Sequence, residues 1–166
     1  RYSQGNCPPS RRPIQPGEII LVDGGPSYDG YVSDIIREAV IGKPTDYQQE
    51  MFDVAREACY RGIDAMKPGT PIDQVVKVVD DFMDNSKFAE INVYKHWCGH
   101  SIGVGVHEYP MLDSDTHILL KPGMVFSIEP YIFQDNVGSL GIEENVLITE
   151  TGAEILTPSD SHLRRL

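Results

Sequence analysis

Hydrophobic positions along this chain change their period twice, dividing it into strand-like, helical and again strand-like regions. Behind a Pro-rich, loop-like lead-in over residues 1–16, the run Glu18-Ile19-Ile20-Leu21-Val22-Asp23 reads as a buried strand that stops at Gly24-Gly25-Pro26. The Asp29-Gly30 pair signals a turn, and a second strand is expected from about Gly30 to Ile36. The period then becomes helical. Thr45-Asp46-Tyr47-Gln48 has capping-box spacing, and Tyr47, Met51, Val54, Ala58, Ile63 and Met66 recur at helical intervals. That spacing predicts a core-facing helix ending before Lys67-Pro68-Gly69. Thr70-Pro71-Ile72-Asp73 supplies an N-cap, a proline at the first helical position and an acid in the first turn of a second helix. Its stripe is Ile72, Val75, Val76, Val79, Phe82 and Met83. From Phe88 onward the chain returns to short apolar runs punctuated by glycine: INVYKHW, GHSIGVGV, MVFSIEPYIF and ENVLIT. Two helices between groups of strands make the fold class α+β.

Composition narrows the picture. A chain of 166 residues with 40% apolar and 23% charged positions suits one domain with a packed core. It opens on Arg1, in what reads as the middle of a loop, so a piece of a longer protein is expected. The 25 acidic residues against 14 basic ones give a net charge of -11, which argues against nucleic acid as a partner, because a polyanion is bound by clustered Lys and Arg. No apolar run is long enough to span a membrane, and no targeting signal is visible. Cys7, Cys59 and Cys98 are odd in number and widely spaced, with no Cys-x-x-Cys pair. They support neither a disulfide framework nor a zinc ribbon, and a cytoplasmic location is the expectation.

Four carboxylates interrupt the apolar strand segments: Asp23 ends IILVD, Asp34 sits in VSDII, Glu129 in VFSIEP and Glu143 in GIEENVLI. Any one of them could occupy a solvated strand face, but a carboxylate buried there needs a partner. Asp23 and Asp34 are equidistant from the Tyr28-Asp29 midpoint, and Glu129 and Glu143 from Asn136. Two hairpins turning at those points would each present a facing pair of acids. Two like charges near 4 Å repel by about 4 kcal/mol at an effective dielectric of about 20, so each pair calls for a shared proton or a cation. His100 and His107 flank the glycine-rich stretch IGVGV, and an imidazole beside four carboxylates completes a mixed nitrogen and oxygen ligand set. His96 and His100 are four residues apart, but Trp97-Cys98-Gly99 between them argues against a helix and no Glu stands in a zincin position.

These residues resemble the pita-bread metallohydrolases, the group of aminopeptidase P, prolidase, methionine aminopeptidase and the metal-free creatinase. The matching pieces are LVDGGPSYDGYVSD, with Asp23 and Asp34 at the spacing of the family's more distant members, then GHSIGVGVHE, PGMVFSIEP and IEENVLITETGAEILT. They run in family order from about Pro16 to Pro158, and LVDGG with PGMVFSIEP is most similar to the Xaa-Pro peptidase branch. The resemblance implies a catalytic pita-bread domain over residues 1–166 that lacks its first helices and strands. It implies two divalent metal ions held by Asp23, Asp34, His100, Glu129 and Glu143, with Asp34 and Glu143 bridging both. Manganese is favoured, with cobalt, iron and zinc as alternatives. His107 would stabilise an oxyanion, and Glu129 would handle the protons of the attacking water and the leaving amine. The implied activity is hydrolysis of a peptide bond next to proline. A pita-bread enzyme acting on a non-peptide small molecule and an inactive binding relative are the alternatives. Relatives of this kind are often homodimers.

The sequence also departs from the branch. Gly141 stands where an Arg commonly precedes Ile-Glu, and Ile36 where a Thr commonly follows Asp-Ile, although Arg37 matches. The upstream Pro-His loop should fall near Cys7-Pro8-Pro9, where there is no His.

Overall fold

The structure is a computed structural model that describes residues 11–92 and 94–166; the first ten residues of the lead-in, with the Cys7-Pro8-Pro9 stretch, lie outside them. Strands β1 (Ile19–Gly24), β2 (Ser27–Tyr28), β3 (Tyr31–Val32) and β4 (Ile35–Val40) come first. Helices α1 (Asp46–Ala65) and α2 (Ile72–Asp84) and a short 3-10 turn (Ala89–Ile91) follow. The remaining strands are β5 (Trp97–Ser101), β6 (Glu108–Asp113), β7 (Val125–Ile128), β8 (Tyr131–Gln134), β9 (Gly138–Gly141), β10 (Glu144–Ile148), β11 (Ala153–Ile155) and β12 (Arg164–Arg165). Two main sheets result, one ordered β1-β4-β12 and the other an antiparallel sheet ordered β11-β10-β7-β5-β6. The α+β expectation holds.

Turn chemistry sets the first hairpin. Asp29 (φ 50°) and Gly30 (φ 86°) both take positive φ, as a two-residue type I′ turn requires. Tyr28 therefore pairs with Tyr31, and further down the ladder Asp23 pairs with Ile36. This corrects the expected Asp23–Asp34 facing pair, because the hairpin folds at Asp29-Gly30 and not one residue earlier. The offset is two residues, an even number, so both acids remain on one face. The strand expected over Gly30 to Ile36 is in fact split into β3 and β4, and Asp34 lies in the break.

The second hairpin has the expected centre. Asn136 (φ 66°) sits at its tip, Gln134 pairs with Gly138 and Tyr131 with Gly141. The same register continues beyond a short interruption, where Ile128 pairs with Glu144 and Val125 with Leu147. Glu129 and Glu143 occupy opposed positions inside that interruption.

Helix α1 begins with the expected capping box: Gln48 N–H donates to Thr45 Oγ1 at 3.1 Å and Thr45 N–H to Gln48 Oε1 at 2.9 Å. Two details differ from the sequence reading. Tyr47 is 40% exposed and stands outside the core stripe. The N-cap of α2 is Pro71 and not Thr70, because the first-turn N–H groups of Ile72 and Asp73 are satisfied by the carbonyls of Ile118 and Thr116 on a neighbouring segment. Both helices pack on the five-stranded sheet, burying Met51, Phe52, Ala55 and Cys59 from α1 and Ile72, Val75, Val76 and Met83 from α2 with Phe126, Ile128 and Val146 from the strands. His96 has φ 69° and precedes strand β5, so the histidines at 96 and 100 share no helix. Cys59 and Cys98 are buried free thiols, each raised above its ordinary pKa by burial.

Close approach between α1 and the sheet passes through Gly62. A Cβ there would fall 2.5 Å from Ile128 Cδ1 and 2.9 Å from Val79 Cγ2. Ile128 directly precedes Glu129, so this contact seats the strand end that carries one of the acids. Gly62→Val is expected to destabilise the fold by about 2 kcal/mol through overpacking, read as a lower denaturation midpoint at unchanged slope.

Candidate metal centre

The six residues singled out in the sequence come from six different places along the chain and meet in one. Asp23 lies near the end of β1 and is the exposed acid of the group, while Asp34, in the break before β4, is buried. His100 is on β5 and fully buried, Glu129 follows β7 and Glu143 precedes β10, both buried. His107 lies on the loop between β5 and β6 and is exposed.

Three overlapping groups bring ligand atoms within 4.8 Å of one another: Asp23 with Asp34 and Glu143; His100 with Glu129 and Glu143; and Asp34 with His100 and His107. Glu143 belongs to the first two, and Asp34 to the first and third. The His100 and His107 rings meet edge-on with centroids 4.0 Å apart. His100 Nδ1 lies 3.1 Å from the Ser101 carbonyl, and donation there leaves Nε2 with its lone pair facing the acids. Nε2 is 3.2 Å from Glu129 Oε1 and 3.9 Å from Glu143 Oε1. Yet Nε2 and Glu143 Oε2 are buried without a well-directed hydrogen bond among the described residues. Orphaned buried atoms of this kind normally call for an explanation, and a divalent cation supplies one. The donor set is rich in carboxylate oxygen with few imidazoles, which suits hard or borderline divalent ions. The residues present fit such ions.

Electrostatics gives the same answer. Glu143 is raised to about 9, first by burial and then by the charge of Glu129, with Ser127 opposing. Asp23 is raised to about 6 by burial and by the charge and hydrogen bond of Asp34. For His100, burial works against the charged ring, but Glu129, the Ser101 carbonyl and Asp34 outweigh it and its pKa is raised. In all three cases a proton is doing what an external cation would do.

A second set of residues holds the acids in place. Asn145 accepts from Asp34 N–H at 3.1 Å and donates to the Asp34 carbonyl at 2.7 Å and to Ser127 Oγ at 3.0 Å. Ser127 in turn donates to Glu143 Oε1 at 2.5 Å. Arg37 Nη2 donates to both carboxylate oxygens of Glu144 at 2.8 and 2.9 Å, and its Nη1 to the Glu143 carbonyl at 2.8 Å. Glu129 N–H is held by the Cys98 carbonyl at 2.8 Å. On the histidine loop, Glu108 accepts from Gly105 N–H at 2.6 Å, closing the turn that presents His107. Arg37 was legible as a match to the branch. Ser127, Glu144, Asn145 and Glu108 were not singled out, and the only available signal was polar residues embedded in apolar strands beside acids already noted.

Comparison with known proteins identifies the family. Residues 3–150 match the profile of metallopeptidase family M24. The chain belongs to that family. It is 36% identical over 156 residues to a Xaa-Pro dipeptidase of Lactobacillus helveticus, covering 94% of this chain and 42% of the relative. Among solved structures, dipeptidase PepE from Mycobacterium ulcerans superimposes with a TM-score of 0.89 at 34% identity over 94% of this chain and 42% of that one. Prolidase from Pyrococcus furiosus does so with a TM-score of 0.86 at 33% identity, over 91% and 44%. The pita-bread fold is therefore the fold of this M24 chain, which spans less than half the length of these relatives. No described helix is long and apolar enough to cross a membrane.

Two measurements test the centre. Because Asp23, His100 and Glu143 all bind protons more tightly in the folded metal-free protein than in the unfolded one, their contribution is complete at low pH and is lost as pH rises toward about 9. The melting temperature of chelator-treated protein should fall between about pH 5 and 9, and saturating Mn2+ should flatten that slope. Asn145→Ala should weaken Mn2+ binding about 10- to 100-fold, measured by calorimetry, with the far-UV circular dichroism spectrum retained.

Proposed function

We propose that the protein carrying this chain is a Xaa-Pro dipeptidase or aminopeptidase with a dinuclear metal centre. One observation carries the reading: in an M24 chain, two ligand groups, Asp23-Asp34-Glu143 and His100-Glu129-Glu143, share Glu143 at their boundary. Asp23 would complete one ion site and His100 with Glu129 the other, with Asp34 and Glu143 serving both. Divalent cations held there supply Lewis acidity, which makes water acidic enough to attack at neutral pH and polarises an amide carbonyl.

The chain's own groups carry the rest. Glu129 takes the proton of the attacking water at a carboxylate oxygen and returns it to the departing amine nitrogen, acting first as base and then as acid. His107, exposed at the mouth and in edge contact with His100, donates to the oxygen on which negative charge develops. His100 keeps its orientation through the Ser101 carbonyl. Ser127 and Asn145 keep Glu143 and Asp34 from rotating away from each other, so little reorganisation accompanies the reaction. Substrates of the named relatives, peptides with proline after the scissile bond, support proline peptides as the first class to screen.

Elemental analysis of protein purified without chelator should give about two divalent ions per chain, manganese being the favoured metal. Asp34→Asn and His100→Ala should each lower that content and reduce Mn2+-dependent hydrolysis of Ala-Pro at least about 100-fold. Bound metal with inert peptides would point to a non-peptide substrate, and no metal after reconstitution to a binding relative.

A further inference from the structure

One rung beyond the acids, the second hairpin carries an unusual pair. Glu129 and Glu143 are opposed in its register, and the next rung on the same face, two residues or about 7 Å along, is Tyr131 opposite Gly141. Gly141 is not required by a left-handed backbone, since its φ is not positive. Space requires it: a Cβ there would fall 2.5 Å from Tyr131 Cβ, 2.7 Å from the Pro130 carbonyl oxygen and 2.9 Å from Tyr131 Cα. Its N–H is held at 3.0 Å by the buried carboxylate of Glu38, so a side chain here would have to displace backbone that is tied on both sides. No cationic side chain therefore stands where the branch commonly carries an arginine.

What occupies this rung is an aromatic ring. Tyr131 packs on Tyr94 with centroids 4.4 Å apart, and Tyr94 on Trp97 at 5.5 Å. All three are half-buried, and the Tyr131 phenol lies in the field of Glu129 and Asp23. Asp23, the exposed member of the acid cluster, is the group best placed to draw a substrate's ammonium. A substrate ammonium drawn toward Asp23, whose charge reaches the Tyr131 phenol, would set the side chain of its residue beside the rings.

Resting on the peptidase reading above, we propose that Tyr131, with Tyr94 and Trp97, forms a specificity subsite for a large apolar or aromatic side chain on the amino-terminal residue of the substrate. Three uncharged rings in tilted contact offer apolar area with little entropy left to lose, and they distinguish a phenylalanyl from an alanyl side chain by contact area alone.

The test uses the metal-loaded protein and two readouts. The kcat/KM ratio of Phe-Pro to Ala-Pro should be about tenfold or more in the wild type, should collapse to within about twofold in Tyr131→Ala and Tyr94→Ala, and should persist in Tyr131→Phe. Independently of turnover, L-phenylalaninamide and L-alaninamide are titrated by calorimetry and by the emission of Trp97, the single tryptophan. The phenylalanyl amide should bind about tenfold more tightly, and Tyr131→Ala should erase the difference. Equal binding of the two amides, binding of neither, or a ratio unchanged in both alanine variants would overturn the subsite. Failure to cleave any Xaa-Pro peptide, with the Tyr131-dependent amide preference intact, would instead remove the peptidase reading and leave the subsite standing.

Discussion

Mutual repulsion among acids in a poorly solvated space is the constraint around which the rest of this chain is arranged. Asp34, Glu129 and Glu143 are all buried, with Asp23 at their edge, and burial raises the cost of every negative charge there. An arrangement of this kind persists only if the surrounding structure forces it and some cation repays it. The forcing is visible in the hydrogen bonds. Asn145 grips the Asp34 backbone from both sides, Ser127 grips the Glu143 carboxylate, and Arg37 grips the Glu143 carbonyl while neutralising Glu144 beside it. None of these contacts stabilises much alone, since a net hydrogen bond contributes about 1 kcal/mol. Together they join the sheet containing β4 to the sheet containing β10 at the point where the acids converge.

The helices serve the same end from behind. Packing of α1 on α2 and on the five-stranded sheet leaves no room for a Cβ at Gly62, against Val79 and Ile128, the latter one residue before Glu129. Stability of the core and placement of a carboxylate are thus one problem. The same coupling explains why polar residues sit on strands whose other positions are apolar: Ser127 and Asn145 face each other across β7 and β10 and are fully buried, yet both are bonded. An apolar residue at 127 would leave the Glu143 carboxylate without its anchor, and one at 145 would leave the Asp34 backbone without its own.

The second hairpin shows how a single close rung changes chemistry nearby. Gly141 lets the two strands approach so closely that a Cβ there would meet Tyr131 and Pro130, and Tyr131 on the opposite strand supplies the side chain of the rung. A cluster of rings, Tyr131 on Tyr94 and Tyr94 on Trp97, therefore stands one rung from the acids. Division of labour between a polar centre and an apolar wall is the usual composition of small-ligand sites.

Much of this was legible in the residues. The capping box of α1, the helical stripes, the Asn136-centred hairpin and the four embedded acids follow from local rules, because capping, periodicity and turn chemistry act over a few residues. Register was less secure. The first hairpin turned at Asp29-Gly30, where two positive φ angles are available, and so moved Asp34 out of the ladder and into a break between strands. Thr70 lost its expected cap role to the carbonyls of Thr116 and Ile118 on a distant segment, and Tyr47 faced out of the core, both decided by neighbours remote in sequence. The sequence by itself determined which groups could do chemistry, since ligand and proton-transfer capacity belong to the side chain. Only the tertiary structure decided that six of them, spread over 121 positions from Asp23 to Glu143, share one site with Asn145 and Ser127 holding them. Distances across sheets are set by packing and long-range hydrogen bonds, which leave no periodic trace along the chain.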